Sequence, residues 1–309
     1  MREFRLKGHL AMLGANTMWG IMAPVAKLVM AAGIVSPLLL TNFRIFGAAI
    51  LFWIASMFTP REHVSSRDLL RLAGAGLLGI VFNQGCYVFG VGFTSPSEAS
   101  IITTTMPIWV MLLAAVILKE PITWKKAGGI ALGGTGALML VLGSAGSGMK
   151  GDNPVLGDLL VLTAQLSYAL YLTFYRNFIK KYSVFTLMKW MFTFAAIAVT
   201  PVSVREWIGT SWGDVSAIEL VGIGYVVIFA TFIAYICTMI GQKNLRPTLV
   251  GMYNYVQPIV ASVIGVCLGL DRFTPVKIVA VALIFSGVYL VTISRAAAHD
   301  AHKIKGGKE

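Results

Sequence analysis

One arginine lies deep inside a stretch that is otherwise apolar. Arg44 stands seven residues into the predicted helix 37–58, about 10 Å from its start at 1.5 Å per residue. A guanidinium at the centre of a membrane helix costs about 2.5–3.5 kcal/mol on insertion scales, and it can hold a carboxylate through two parallel hydrogen bonds. We expect Arg44 to bind a carboxylate-bearing ligand or to form a gating pair with Glu98. Solvation at the membrane interface is the alternative.

Amides, hydroxyls and aromatic rings form a second set of candidates, spread over several apolar segments. Amides and phenols buried in hydrocarbon must find hydrogen-bond partners, so we expect them to face the interior of a helix bundle. Each could bind a ligand, or could simply join two helices. The residues predicted to line a binding cavity with Arg44 are Asn16, Trp19, Asn83, Gln84, Ser100, Thr104, Tyr168, Tyr235, Asn254 and Tyr255.

Two prolines interrupt apolar segments at matching positions. Pro107 and Pro258 each leave a carbonyl one turn back without its helical hydrogen bond, which is tolerated in a membrane only beside protein, water or ligand. We expect both prolines, together with Glu98, to take part in gating. The alternatives are tight packing by small residues and, for Glu98, the favourable position of an acid at a helix N-terminus.

The segments that carry these residues occur twice along the chain. A pattern of two prolines, an acid and a threonine recurs at a constant offset of 151 residues, so that 258 minus 107 and 274 minus 123 give the same value. The first copy consists of Pro96, Pro107, Glu120 and Thr123, and the second of Pro247, Pro258, Asp271 and Thr274. Such a repeat predicts two homologous halves. Glu120 is expected to cap a helix or to pair with Lys119.

Composition gives the class of protein that must hold these residues. Of the 309 residues, 57% are hydrophobic and 12% are charged, and the mean hydropathy is +0.79. Apolar segments long enough to cross a bilayer recur throughout the chain. The predicted spans are 8–31, 37–58, 69–91, 96–118, 124–143, 156–177, 183–204, 218–241, 247–269 and 275–294. The sequence thus predicts an all-α polytopic membrane protein with ten transmembrane helices.

The basic residues predict how these helices are oriented. With ten spans, 18 of the 25 Lys and Arg residues fall on one side, four on the other and three inside spans. This is the positive-inside bias, so we expect both termini in the cytoplasm and an uncleaved first span. The net charge of +12 therefore reports topology and does not indicate a nucleic-acid partner. Five spans per half is an odd number, so the second half must be inverted, with a path for substrate between the halves.

The predicted organisation has four parts. Residues 1–146 form the first five-helix repeat, 147–154 an extracytoplasmic linker, 155–295 the inverted second repeat and 296–309 a basic cytoplasmic tail. Within the first repeat, Gly129 and Gly133 form a pair of small residues one turn apart, for which we expect close packing inside the chain. Neither a metal site nor a cofactor is expected, because the histidines and cysteines lack ligand spacing.

Several of these motifs resemble the drug/metabolite transporter superfamily of the EamA type, over essentially the whole chain. The matching elements are Asn16-x-x-Trp19-Gly20, the Pro96–Pro107–Glu120-x-x-Thr123 block, Gly129-x-x-x-Gly133-x-x-Gly136 and residues 282–289. One departure is Asp271, where the family usually has Glu. The resemblance implies a ten-helix fold of two five-helix repeats that exports or exchanges small metabolites.

Two functions from different classes follow. The first is a secondary transporter, an exporter in a bacterial inner membrane, that moves amino acids or related amphipathic metabolites by alternating access. Its partners would be the small-molecule substrate, the lipid bilayer and a coupling proton, and the protein would be a monomer or a homodimer. The alternative is an intramembrane enzyme acting on lipid or prenyl substrates. Such an enzyme would need clustered carboxylates or a metal motif, which the sequence lacks.

Overall fold

The computed structural model describes residues 2–30, 33–93, 102–144, 153–267 and 275–305. Glu98, Ser100 and Asp271 lie outside the described residues. The described part is helical and contains no strand. Its α-helices are α1 Arg2–Met30, α2 Pro37–Met57, α3 Ser66–Gly76, α4 Asn83–Phe93, α5 Met106–Ile117, α6 Trp124–Ser144, α7 Pro154–Phe174, α8 Val184–Gly209, α9 Ala217–Val227, α10 Ala234–Asn244, α11 Pro247–Met252, α12 Val256–Cys267 and α13 Pro275–Lys305.

Helix starts follow from local chemistry. Ser36 caps α2, since its hydroxyl accepts a hydrogen bond from the Leu39 amide at 3.0 Å, and Pro37 takes the first position, where a missing N–H has no consequence. Ser216 and Glu219 form a capping box at the start of α9. Six helical segments are long and apolar enough to cross a membrane, and α5 is a shorter apolar helix. These counts hold for the described ranges, and the ten-span count stays a prediction.

Two π-helical turns occupy matching places in the two halves. Leu77–Phe82 joins α3 to α4, and Ile228–Ile233 joins α9 to α10, so both ends of the two turns are 151 residues apart. Each turn has a carbonyl bound by a side chain from the opposite half. Trp19 Nε1 donates to the Ala230 carbonyl at 2.8 Å, and Ser167 Oγ donates to the Leu78 carbonyl at 2.8 Å. A π-helical turn weakens the regular helical ladder, and such turns are frequent at functional sites.

Breaks in helical geometry also precede the two candidate gating prolines. A turn at Thr104 and Thr105 leads into α5, of which Pro107 is the second residue. A 3₁₀ turn at Tyr253–Tyr255 separates α11 from α12, which contains Pro258. The sequence-based expectation of a local break near each proline is therefore confirmed.

Helices α6 and α13 pack closely through glycines. A Cβ added at Gly129 would lie 2.7 Å from the Gly287 carbonyl oxygen, and one added at Gly136 would lie 2.5 Å from that of Ala280. Gly133 packs against the Tyr255 ring, since its added Cβ would come within 2.7 Å of the ring carbons. Close packing of Gly129 and Gly133 inside the chain is thus confirmed. At Gly129 and Gly136, where the added atom would meet a backbone carbonyl, no larger residue fits without moving a helix.

Candidate functional site

Arg44 lies at the centre of the candidate site, where it contacts the second half of the chain. It is half-buried on α2, and its Nε donates to Thr231 Oγ1 at 3.0 Å. Thr231 is fully buried in the second π-helical turn, and its own hydroxyl donates to the Val226 carbonyl at 2.8 Å. Among the described residues, no ion pair includes Arg44. The guanidinium therefore has donors available for an anionic ligand.

Two phenols, those of Tyr235 and Tyr87, lie within electrostatic range of this guanidinium. Tyr235 follows Thr231 by one helical turn, and Tyr87 follows Gln84 by about one turn, so each pair shares a helix face. Gln84 Nε2 donates to the Tyr235 hydroxyl at 2.6 Å. Elements from both halves thus converge on one polar group of side chains around Arg44.

Hydrogen-bonding capacity remains within this polar group. Tyr87 is 37% exposed although it sits beside a half-buried arginine. Gln84 is 5% exposed, and its Oε1 has no hydrogen-bond partner among the residues that the structure describes. A buried acceptor without a partner carries a desolvation cost unless water or ligand fills the role. The site therefore offers donors at Arg44 and an acceptor at Gln84.

Aromatic rings pack along one side of the polar group. The Tyr235 ring packs edge-on against Trp19 at 5.9 Å and against Phe192 at 5.0 Å between centroids. Phe192 is fully buried and Trp19 is half-buried. A wall of this kind suits the apolar part of an amphipathic ligand.

Other predicted site residues are used to join helices. Asn16 is fully buried, donates to the Met12 carbonyl at 2.8 Å, and accepts from Gln257 Nε2 at 2.9 Å. Gln257 also donates to Asn254 Oδ1 at 3.2 Å. Asn83 Nδ2 donates to the Ala164 carbonyl at 3.1 Å. The helix-joining alternative therefore accounts for the contacts of these amides in this conformation.

Two of the tyrosines that were predicted to line the cavity form their hydrogen bonds with residues other than Arg44. Tyr168 accepts from Gln242 Nε2 at 3.3 Å, and the other end of that amide accepts from Tyr171 at 3.0 Å. Tyr255 is 1% exposed and donates to the Thr104 carbonyl at 3.2 Å. Thr104 is half-buried in the turn before α5, while Pro107 is buried and Pro258 is half-buried.

An ionic cluster that sequence reasoning missed joins the halves at one end of the bundle. Glu120 is buried and pairs with Lys126 Nζ at 2.9 Å and with Arg176 at 3.0 Å. The expected pairing of Glu120 with Lys119 is wrong. Lys119 takes a left-handed backbone conformation, with φ of 53°, while the Glu120 amide donates back to the Ala114 carbonyl at 3.1 Å. This turn ends α5, and the Glu120 side chain pairs elsewhere.

A second cluster lies among the basic loops at the same predicted membrane face. Asp68 accepts a hydrogen bond from Lys181 Nζ and another from the Tyr182 hydroxyl, the latter at 2.6 Å. The hydrogen bond to Asp68 raises the pKa of Lys181. Glu62 accepts from the Ser183 amide at 2.9 Å. No sequence signal points to these contacts, because the partners are 113 to 121 residues apart.

Known proteins are similar to this chain along most of its length. The EamA-like transporter family model matches residues 6–142 and 155–293. An uncharacterized transporter of Archaeoglobus fulgidus is 24% identical over 90% of this chain and 96% of its own length. The uncharacterized inner membrane transporter YedA of Escherichia coli K12 is 24% identical over 84% of this chain and 82% of its own length.

A plant protein and a solved structure extend the comparison. A WAT1-related protein of Arabidopsis thaliana is 26% identical over 94% of this chain and 86% of its own. A chain of known crystal structure superposes with a TM-score of 0.77 at 19% identity, over 95% of this chain and 97% of that one. At that identity the superposition shows the fold alone.

Proposed function

Because the chain belongs to the EamA-like transporter family, and is thus a multi-pass α-helical membrane transporter and not an enzyme, we propose that it is a secondary transporter of small amphipathic metabolites. Amino acids and related carboxylates are the favoured substrates, and export across a bacterial inner membrane is the favoured direction. Transport proceeds by alternating access, in which one central site opens to either side in turn.

The observation that carries this proposal is the state of Arg44. A charged side chain inside a membrane bundle is expensive and usually functional. Arg44 has a hydroxyl partner in Thr231 and no ion pair within the described ranges. A carboxylate bound there would supply the missing counter-charge and accept two parallel hydrogen bonds from the guanidinium. The rings of Trp19 and Phe192 near Tyr235 would contact the apolar part of the same molecule.

We propose that ten helices form two inverted five-helix repeats around this site. Contacts between equivalent residues support it. Gln84 bonds Tyr235 and Thr104 bonds Tyr255, and both pairs are 151 residues apart. Equivalent residues of two repeats can touch only where a symmetry axis passes close to both. The matched π-helical turns would then serve as paired points of bending, one in each repeat.

The ionic clusters suggest which end of the transporter is closed. The positive-inside bias predicts that the basic loops, and both termini, lie in the cytoplasm. Glu120 with Arg176, and Asp68 with Lys181, bridge the two halves at that end. Opening toward the cytoplasm would require these contacts to separate. The helices would bend near Pro107 and Pro258 as these contacts separate, and Glu98 would take part in the same gating motion.

Counterflow in proteoliposomes tests this function. Vesicles loaded with unlabelled amino acids are diluted into a trace of labelled amino acid, with and without a pH gradient. Saturable accumulation that depends on the internal amino acid supports a carrier, and dependence on the gradient supports proton coupling. Conductance that does not saturate would contradict the proposal and favour a channel.

A further inference from the structure

A polar cleft lies at the other end of the bundle, away from the basic loops. Its volume is about 510 Å³, and it is lined by residues 33–36 before α2 and by residues at and after the end of α8. The residues used below are Ser36, Arg205, Glu206, Gly209 and Asp214. None of them belongs to the group around Arg44, which lies in the middle of the helices.

Charges of both signs line this cleft without pairing with one another. No ion pair within the described ranges includes Arg205, Glu206 or Asp214. Glu206 Oε2 accepts from Ser36 Oγ at 2.7 Å, which ties α8 to the start of α2. Because these charged groups are not paired with one another, the cation and the two carboxylates can bind the two opposite charges of one ligand.

Aromatic rings next to the cleft indicate its depth in the membrane. Trp207 and Trp212 stack with centroids 5.4 Å apart, and Phe43 packs edge-on against Trp207 at 5.2 Å. Trp212 is 45% exposed, and its Nε1 donates to the Trp207 carbonyl at 3.2 Å. Tryptophan is enriched at the level of the lipid headgroups, because its ring is largely apolar while its N–H can bond to water.

We propose that this cleft binds a zwitterion that carries a primary ammonium and an anionic group. Glu206 and Asp214 would accept hydrogen bonds from the ammonium, and Arg205 would hold the phosphate or carboxylate. The headgroup of phosphatidylethanolamine has this chemistry, and so does a soluble zwitterion such as phosphoethanolamine. A quaternary ammonium has no N–H to donate, so phosphatidylcholine should bind poorly.

The experiment measures dissociation constants of the purified full chain in detergent, by titration calorimetry. One arm uses short-chain phosphatidylethanolamine, a second uses phosphoethanolamine, and short-chain phosphatidylcholine is the comparison. Gly209→Phe is designed to fill the cleft, since a Cβ at Gly209 would meet no atom of the described residues within 4 Å. Asp214→Asn and Arg205→Gln each remove one exposed charge. Arg67→Gln, an exposed charge at the other end, is the matched control.

The proposal predicts about tenfold weaker binding in each of the three cleft variants, and unchanged binding in the control. Binding of the phosphatidylethanolamine alone identifies a lipid ligand, and binding of phosphoethanolamine as well identifies a soluble one. Equal binding of both lipids, binding that Gly209→Phe leaves unchanged, or no binding in either arm overturns the proposal.

Discussion

Gln84 and Tyr235 occupy the same position in the two halves of the chain, and they are hydrogen-bonded to each other at 2.6 Å. Tyr235 follows Thr231, the hydrogen-bond partner of Arg44, by one helical turn. Gln84 and Tyr235 are therefore both equivalent positions of the sequence repeat and members of the candidate site. The two residues differ in type, so the sequence repeat places side chains of different chemistry at this pair.

Tyr235→Phe is expected to destabilise the protein by about 1–3 kcal/mol, because it leaves a second polar atom of buried Gln84 without a partner. Thermal unfolding in detergent measures this as a lower melting temperature. Tyr289→Phe is the matched control, since Tyr289 is 65% exposed. Equal melting temperatures for the two variants would show that the Gln84–Tyr235 bond contributes nothing to stability.

Arg44→Gln should weaken transport of substrates that carry a carboxylate more than transport of neutral analogues. Loss of one charge-assisted pair corresponds to about 1.5–3 kcal/mol, or roughly ten- to a hundredfold in KM or Kd. Paired uptake assays with an amino acid and its amide measure the difference. Arg61→Gln, at an exposed loop residue, is the control. An equal loss for acid and amide would remove the proposed role of Arg44.

Gly129→Ala should destabilise the protein or abolish its folding, because its new methyl group would meet the Gly287 carbonyl. The neighbouring Gly128 is a matched control, since a Cβ there would meet no atom within 4 Å in the part of the chain that the structure describes. Gly128→Ala should raise stability by up to about 1 kcal/mol, from helix propensity alone. Yield and melting temperature of the two variants measure the contrast. Similar values for both would argue against tight packing of α6 on α13.

The pKa of Glu62 predicts a weak dependence of stability on pH. Burial raises this pKa, but hydrogen bonds from Thr186 and Ser183 together outweigh burial and hold it below its ordinary 4.5. A carboxyl whose pKa is lower in the folded state stabilises the fold above its unfolded pKa, and that stability is lost as pH falls through the folded pKa. Glu62→Gln should therefore lower the melting temperature at pH 7 and converge with the parent near pH 3. A constant gap between the two curves would contradict this.

The sequence predicts helix ends well where proline and a capping residue fix them. Predicted starts at Pro37, Pro247 and Pro275 are the observed ones, because proline fits the first helical position and is disfavoured further along. The π-helical turns were not predicted. Their sequences carry no proline or glycine pattern that differs from an ordinary apolar helix.

The candidate site is only partly readable from the sequence. Arg44 is identifiable because a charge in an apolar segment needs a cause, whereas its partner Thr231 is 187 residues away. For the same reason, separation along the chain, the sequence does not identify Arg176 as the partner of Glu120. For the buried amides, residue type predicts burial and bonding but not the identity of the partner, which depends on tertiary packing.

Access to the Arg44 site from each side of the membrane tests the central claim most directly. In a background with Cys86, Cys237 and Cys267 replaced by Ala, Tyr87→Cys is labelled by a membrane-impermeant maleimide added to one side at a time. The account predicts labelling from the side away from the basic loops, and a shift to the cytoplasmic side when Arg176→Gln weakens the Glu120 cluster. Labelling from both sides at once, or from neither in any state, would contradict a single site with alternating access.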